Sequence, residues 1–257
     1  MKLPLVWKLL AAGLALGLVA AIGAYVVILR SQPPALGLAA GTDRSPAPAS
    51  TPDSPLALAC RRPAVPTGQN RGFSGLWVVQ PGSVAGYRAH EKFADVPSPH
   101  VAVARTQKVS GWVLATDEGG VRAIETACVA VDLATLTSVD QLPGFNTSDR
   151  DGNARGFLGV TAHPYAIFQP YPVRIDADIG SGSTVGVRLE GQLELHGVTR
   201  PATFDVNARL VNGQVAVAGS TVVGVGDYGV EVPQEAAGFV VVDPRITLEI
   251  SLVLART

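Results

Sequence analysis

Residues 184–212, TVGVRLEGQLELHGVTRPATFDVNARLVN, alternate apolar and polar side chains on both sides of a Gly-Val-Thr-Arg-Pro turn. Val185, Val187, Leu189, Leu193 and Leu195 share one phase, and Arg188, Glu190, Gln192, Glu194 and His196 the other. Beyond the turn, Phe204, Val206, Ala208 and Leu210 repeat the pattern against Asp205, Asn207 and Arg209. A period of two is that of a strand with one dry and one wet face, and a helix cannot satisfy it. The stretch therefore reads as a long antiparallel hairpin from a sheet that curls around an apolar interior.

The same alternation recurs along the chain. Further strands are predicted over 76–80, 83–93, 101–115, 121–133, 165–178, 202–210, 214–223 and 245–254. The last is cleanest, with Ile246, Leu248, Ile250, Leu252 and Leu254 in one phase. Residues 134–160 break the period, and a short helix is predicted over 147–158 with Asn146, Thr147 or Ser148 as its cap. Eight or nine antiparallel strands with one apolar phase close into a barrel or stack as a sandwich. A barrel of about eight strands encloses room for one small ligand. The expectation is an all-β, antiparallel, lipocalin-like barrel over 71–257.

What precedes that domain is different in kind. Residues 9–29 carry no charge over 21 positions, enough at ~1.5 Å per residue to span a hydrocarbon core of about 30 Å. Residues 1–30 are expected to form a single transmembrane anchor. Lys2 and Lys8 before the apolar run favour a cytoplasmic N-terminus and an extracytoplasmic C-terminal domain, with Arg30 opposing. A cleaved secretory signal is the alternative, but its apolar region is normally shorter. Residues 31–70 hold 8 of the 19 prolines among Ala, Ser and Thr and read as an extended, disordered linker. Leu56-Ala-Leu-Ala-Cys60 is a weak lipoprotein-like box, too far from the apolar run to act as one.

Composition excludes several function classes. A formal net charge of −1 supplies no basic field for nucleic acid. Gly-x-Ser-x-Gly, His-Glu-x-x-His and the P-loop are absent, and the four histidines lack metal-ligand spacing, so neither a metal nor an enzymatic cofactor is expected. Gly224-Val-Gly-Asp-Tyr-Gly229 fits the dinucleotide fingerprint by letter, but Val-Glu-Val-Pro follows where a helix is needed. Those glycines read instead as a bulge or bend. Glu125 falls on the apolar phase of Val121 and Ala123, and a local slip of phase accounts for it best. Cys128 lies on an outward phase, where a bridge to Cys60 or two free thiols are both open.

Three motifs resemble the YceI-like family of lipid- and polyisoprenoid-binding domains. They are Gly191-Gln-Leu-Glu-Leu-His-Gly-Val-Thr-Arg-Pro201, Val129-Ala-Val-Asp-Leu-Ala-Thr-Leu-Thr-Ser138 with Ser148-Asp-Arg-Asp151, and Gly226-Asp-Tyr-Gly-Val-Glu-Val-Pro233. The loop after Asp151 and the His163-Pro-Tyr165 stretch depart from the family pattern. The resemblance implies an elongated barrel whose tunnel holds an isoprenoid quinone, polyprenyl or fatty-acyl ligand, without covalent chemistry. Phe93, Trp112, Val129, Val131, Phe157, Tyr165, Phe168, Val187, Leu189 and Phe204 are the expected tunnel lining. Arg150 and Asp151 are placed either at a polar mouth or in an Asp–Arg loop lock. The rival from another class is a surface or envelope-stress module with a packed interior and no ligand.

Overall fold

The hairpin that opened the sequence closes on two residues. Strand β9 (Val185–Leu195) turns at His196 and Gly197, with φ of 53° and 72°, into β10 (Val198–Val211). Two successive positive φ values make the tight turn whose twist matches paired strands. The turn thus sits earlier than Gly-Val-Thr-Arg-Pro: Val198 to Pro201 already pair with Leu195 to Gln192. Pro201 is tolerated because β10 meets its other neighbour only from Asp205 onward. A second such turn, Asn212-Gly213, leads into β11 (Gln214–Gly224).

The structure is a computed structural model that describes residues 32–39, 54–64, 72–93, 100–118, 121–141, 146–175, 179, 182–232 and 240–257. The other strands are β1 (Gly75–Val79), β2 (Val84–Phe93), β3 (His100–Thr106), β4 (Val109–Glu118), β5 (Val121–Asp132), β6 (Thr137–Ser138), β7 (Tyr165–Pro170), β8 (Val173–Ile175), β12 (Val240–Val242) and β13 (Arg245–Arg256). All pairings are antiparallel, and the ring runs β1, β4, β5, β7, β9, β10, β11, β13 and back to β1. Eight strands therefore close the barrel. The upper half of β13 pairs instead with β2, which carries β3 and β6 as a flap beside the ring.

Two predicted strands are broken. The 101–115 stretch bends at Gln107 and Lys108 into β3 and β4, and inward positions change from even to odd numbers across the corner. The 165–178 stretch breaks at Tyr171-Pro172. Between β4 and β5 the register shifts: Leu114 pairs with Thr126 and Ala115 with Ile124, so Glu125 stands out of the ladder. That is the predicted slip, and Glu125 accepts a hydrogen bond from Thr116 on the exposed side (2.8 Å). Helix α2 (Thr147–Phe157) takes Asn146 as its cap, whose Oδ1 accepts from the Ser148 N–H (3.0 Å).

Two described parts of the segment expected to be a disordered linker, residues 32–39 and 54–64, pack on the barrel. Arg88 donates to the Pro33 carbonyl (2.7 Å), Arg105 to that of Pro34, and Ser251 Oγ to that of Gly37 (2.8 Å). This lays residues 32–39 along the outer face of β2, β3 and β13. Residues 54–64 include a short helix, α1 (Pro55–Ala59), and Cys60, bridged to Cys128 on β5. They cover an apolar outer patch made of Leu76, Val78, Trp112, Leu114, Ala130 and Ile167. The cause lies in β1 and β4, whose two faces are both apolar, so one needs a cover other than the barrel interior. Leu56, Ala59 and Cys60 supply it. The predicted transmembrane anchor lies outside the described residues. Among those described, no helix is long and apolar enough to cross a membrane.

Candidate functional site

Inward positions of the barrel leave two apolar chambers in line. The larger, of about 240 Å³, is walled by β2, β5, β7, β9, β10, β12 and β13 and roofed by Asn153, Ala154 and Phe157 of α2 and the Leu158 that follows it. The smaller, about 100 Å³, lies toward Phe73, Trp77, Ile175 and Ile179. Val129, Phe168, Phe204 and Ile250 border both chambers. Phe168 and Phe204 form the waist, with ring centroids 4.7 Å apart and planes tilted by 52°. Small residues make the larger space: Ala85, Ala89 and Ala166 stand where bulkier side chains would fill it.

The expected lining divides. Val129, Val131, Phe157, Phe168 and Phe204 line the larger chamber, and Val187 and Leu189 the smaller. Three do not. Trp112 faces outward under α1, where its indole N–H donates to the Cys60 carbonyl (3.0 Å). Tyr165 shares the outward phase of β7 with Ile167. Phe93, past the last inward position of β2, packs edge-on against the His100 ring, 6.4 Å between centroids. For Trp112 and Tyr165, periodicity gave a phase without telling which phase was inside; Phe93 keeps the inward phase of β2 but lies beyond the chamber. His196, expected as a solvated strand imidazole, is half-buried in the turn. It lies 5.2 Å from the His163 ring, with Nδ1 at 3.1 Å from the Tyr228 carbonyl.

One end of the larger chamber is polar. Glu91 follows Ala85, Tyr87 and Ala89 on the inward phase of β2, and Arg150 reaches it from α2. Arg150 Nη2 donates to Asp140 Oδ1 (2.6 Å) and Ser138 Oγ (2.8 Å), and its Nη1 stands 3.6 Å from Glu91 Oε2. Asp140 is further held by His100 Nε2 (2.6 Å) and by the Val103 N–H (2.8 Å). Asp151 accepts from the Ser138 N–H (3.0 Å) and hydroxyl, and so acts as a loop lock away from the chamber. Arg150 lines the chamber's polar end and also ties α2 to Ser138 and Asp140.

Burial and hydrogen bonding pull against each other in this cluster. Burial pushes Asp140 upward, but the hydrogen bonds from His100, Arg150 and Val103 outweigh it and hold the carboxyl at about 2. Burial raises Glu91 above the usual carboxylate range, and the Arg150 guanidinium recovers only part of that. Burial likewise lifts the Tyr87 phenol well above its ordinary value. Glu91 Oε2 has no hydrogen-bond partner among the described residues. Sequence reasoning missed Glu91, His100 and Asp140. Glu91 alone left a signal, a carboxylate on the apolar phase of β2.

Gly224 to Gly229 form a 3-10 turn closing β11, with Gly229 left-handed at its end (φ 72°). Among the described residues no helix follows that would hold a pyrophosphate. Among the described residues no group of His, Cys, Asp and Glu is placed to hold a metal.

The chain is similar to a solved polyisoprenoid-binding domain from Saccharophagus degradans implicated in plant cell wall breakdown. Identity is 18%, with 72% of this chain and 100% of that chain covered and a TM-score of 0.53. It is similar also to BcnA of Burkholderia cenocepacia, at 16% identity, covering 66% and 95%, with a TM-score of 0.44. No curated protein matches. The first likeness establishes the fold. The YceI-like domain family matches residues 89–254, which take in the waist, the roof helix and the polar end of the chamber, and the chain belongs to that family.

Proposed function

We propose that the barrel binds a long apolar ligand, an isoprenoid quinone, polyprenyl or fatty-acyl compound, threaded through both chambers. The observation that carries this is the pair of in-line chambers lined almost wholly by Val, Leu, Ile, Ala and Phe. A packed interior, which a purely surface-acting module would have, is not what the inward alanines leave. Each sequestered methylene contributes about 0.8 kcal/mol, so an extended tail binds tightly without specific hydrogen bonds. Binding is burial, with no covalent step, and the polar end receives the head group. The solved polyisoprenoid-binding domain of the same fold supports this reading.

We further propose that the domain is extracytoplasmic, held to the cell membrane through residues 1–30, and carries or stores its ligand in the envelope. The Cys60–Cys128 bridge supports an oxidising compartment. Native mass spectrometry and solvent extraction of the purified full chain test the ligand reading. A stoichiometric prenyl or acyl compound is expected. Repeated absence, with failed titrations of such lipids, overturns it.

A further inference from the structure

The polar end of the chamber carries charge in an arrangement that selects among head groups. Three charged residues line the chamber: Glu91, Glu249 and Arg150. Glu249 is tied to Arg88 and Arg105, neither of which lines the chamber. Arg150 is therefore the only lining cation among the described residues, and its Nε and Nη2 donors are committed. Nε and Nη2 go to Ser138 Oγ, Nη2 also to Asp140, and Nη1 faces His100 (3.5 Å) and Glu91 (3.6 Å). Around it stand Asp140, Asp151 and Glu91. With Glu91 neutral and His100 charged the group sums to zero, and every other assignment of these two is negative.

An anionic head group placed here meets a guanidinium whose charge Asp140 already offsets, together with two or three carboxylates. A neutral acceptor meets something better. The Glu91 side chain is 92% buried by its 8% exposure, lines the chamber and leaves Oε2 without a hydrogen-bond partner. Tyr87, four residues earlier on the same inward phase, lines the chamber as well. A carboxyl in such a place, once a ligand displaces the last water, is held as the acid and donates.

We propose that Glu91, with Arg150 neutralised by Asp140, makes this tunnel selective for ligands with a neutral, hydrogen-bond-accepting head and against diphosphate or carboxylate heads. This rests on the tunnel reading and deepens it. Glu91 is the group that contacts the head, and Asp140 acts through Arg150 as a positioning residue.

The test titrates the full chain, freed of lipid, with five probes sharing one prenyl tail. They are the tail hydrocarbon, and the tail bearing a benzoquinone, a primary alcohol, a carboxylate or a diphosphate. The quinone and alcohol are expected to bind about tenfold or more tighter than the two anions, the difference an unpaired charge in a buried site makes. Glu91→Leu is expected to bring the quinone down to the level of the hydrocarbon, and Glu91→Gln to restore it. Asp140→Asn frees Arg150 and is expected to raise diphosphate binding against quinone binding by about tenfold. Should Asp140→Asn not fold, the two Glu91 variants carry the test alone. Anions that bind as well as the neutral probes overturn the selectivity while leaving the tunnel intact, as does a Glu91→Leu protein that still prefers the quinone to the hydrocarbon. If no probe binds, the hydrocarbon included, the tunnel reading itself fails and the selectivity falls with it.

Discussion

Asp140 and Glu91 have opposite effects on stability, because their carboxyls move in opposite directions on folding. Asp140 is held at about 2 against an unfolded value of 3.8. A depressed carboxyl stabilises the fold above its unfolded value and loses that contribution as pH falls through its folded one. The shift is equivalent to about 2 kcal/mol at neutral pH. Denaturant midpoints of the wild type and Asp140→Asn are expected to differ at pH 7, to converge from pH 4 downward and to meet near pH 2. Glu91 is raised, so its ionisation costs stability above the ordinary carboxylate range. Glu91→Gln is therefore expected to melt higher than the wild type at pH 7, with the gain gone in acid. Phe168 at the waist has another role. Cutting it to Ala costs about 3 kcal/mol as a core truncation, and it joins the two chambers. Binding across a series of tail lengths is expected to shift toward longer tails in Phe168→Ala. At this scale the sequence tells least: His100, Asp140 and Arg150 are 40 and 10 residues apart, and only the folded chain brings them together.

The roof helix α2 is built from weak material. Gly152 and Gly156 lie in its interior, and a Cβ added at either meets nothing within 4 Å. Glycine inside a helix costs roughly 0.5–1 kcal/mol against Ala, chiefly through the freedom of the unfolded chain. Gly152→Ala and Gly156→Ala are expected to stabilise the protein by about that amount each, read by thermal melting. If the roof opens for ligand passage, the double variant will also release a bound prenyl probe more slowly in a chase experiment. Gly191 is the opposite case: its Cβ would lie 2.3 Å from the Gln169 carbonyl oxygen, so Gly191→Ala is expected to destabilise the β7–β9 pairing. Elements were the most legible level. β5, β9, β11, β13 and α2 follow from period and cap, and even the bulge at Glu125 announced itself as a carboxylate on an apolar phase. The corner at Gln107-Lys108 did not, since two strands of opposite phase abut with no Gly or Pro between them.

For the whole molecule, closure was legible and the wrapping was not. Strands with one apolar phase predict a barrel. Residues rich in Pro and Ala predict a spacer, and composition alone holds no sign that β1 and β4 are apolar on both faces and need covering. The bridge fastens that cover across a separation of 68 residues, for which loop entropy gives about 4 kcal/mol of stabilisation. Cys60→Ser is expected to lower the stability by an amount approaching that, and reductant to have the same effect on the wild type but none on the variant. The bridge also sets the route by which tension travels. Once the hydrogen bonds at residues 33, 34 and 37 give way, a pull from before Cys60 reaches the fold through sulfur at Cys128, in the middle of the wall, and bypasses the strand that begins at Gly75. Tugged from its N-terminal side, the oxidised barrel is loaded across its staves rather than unravelled from its first one.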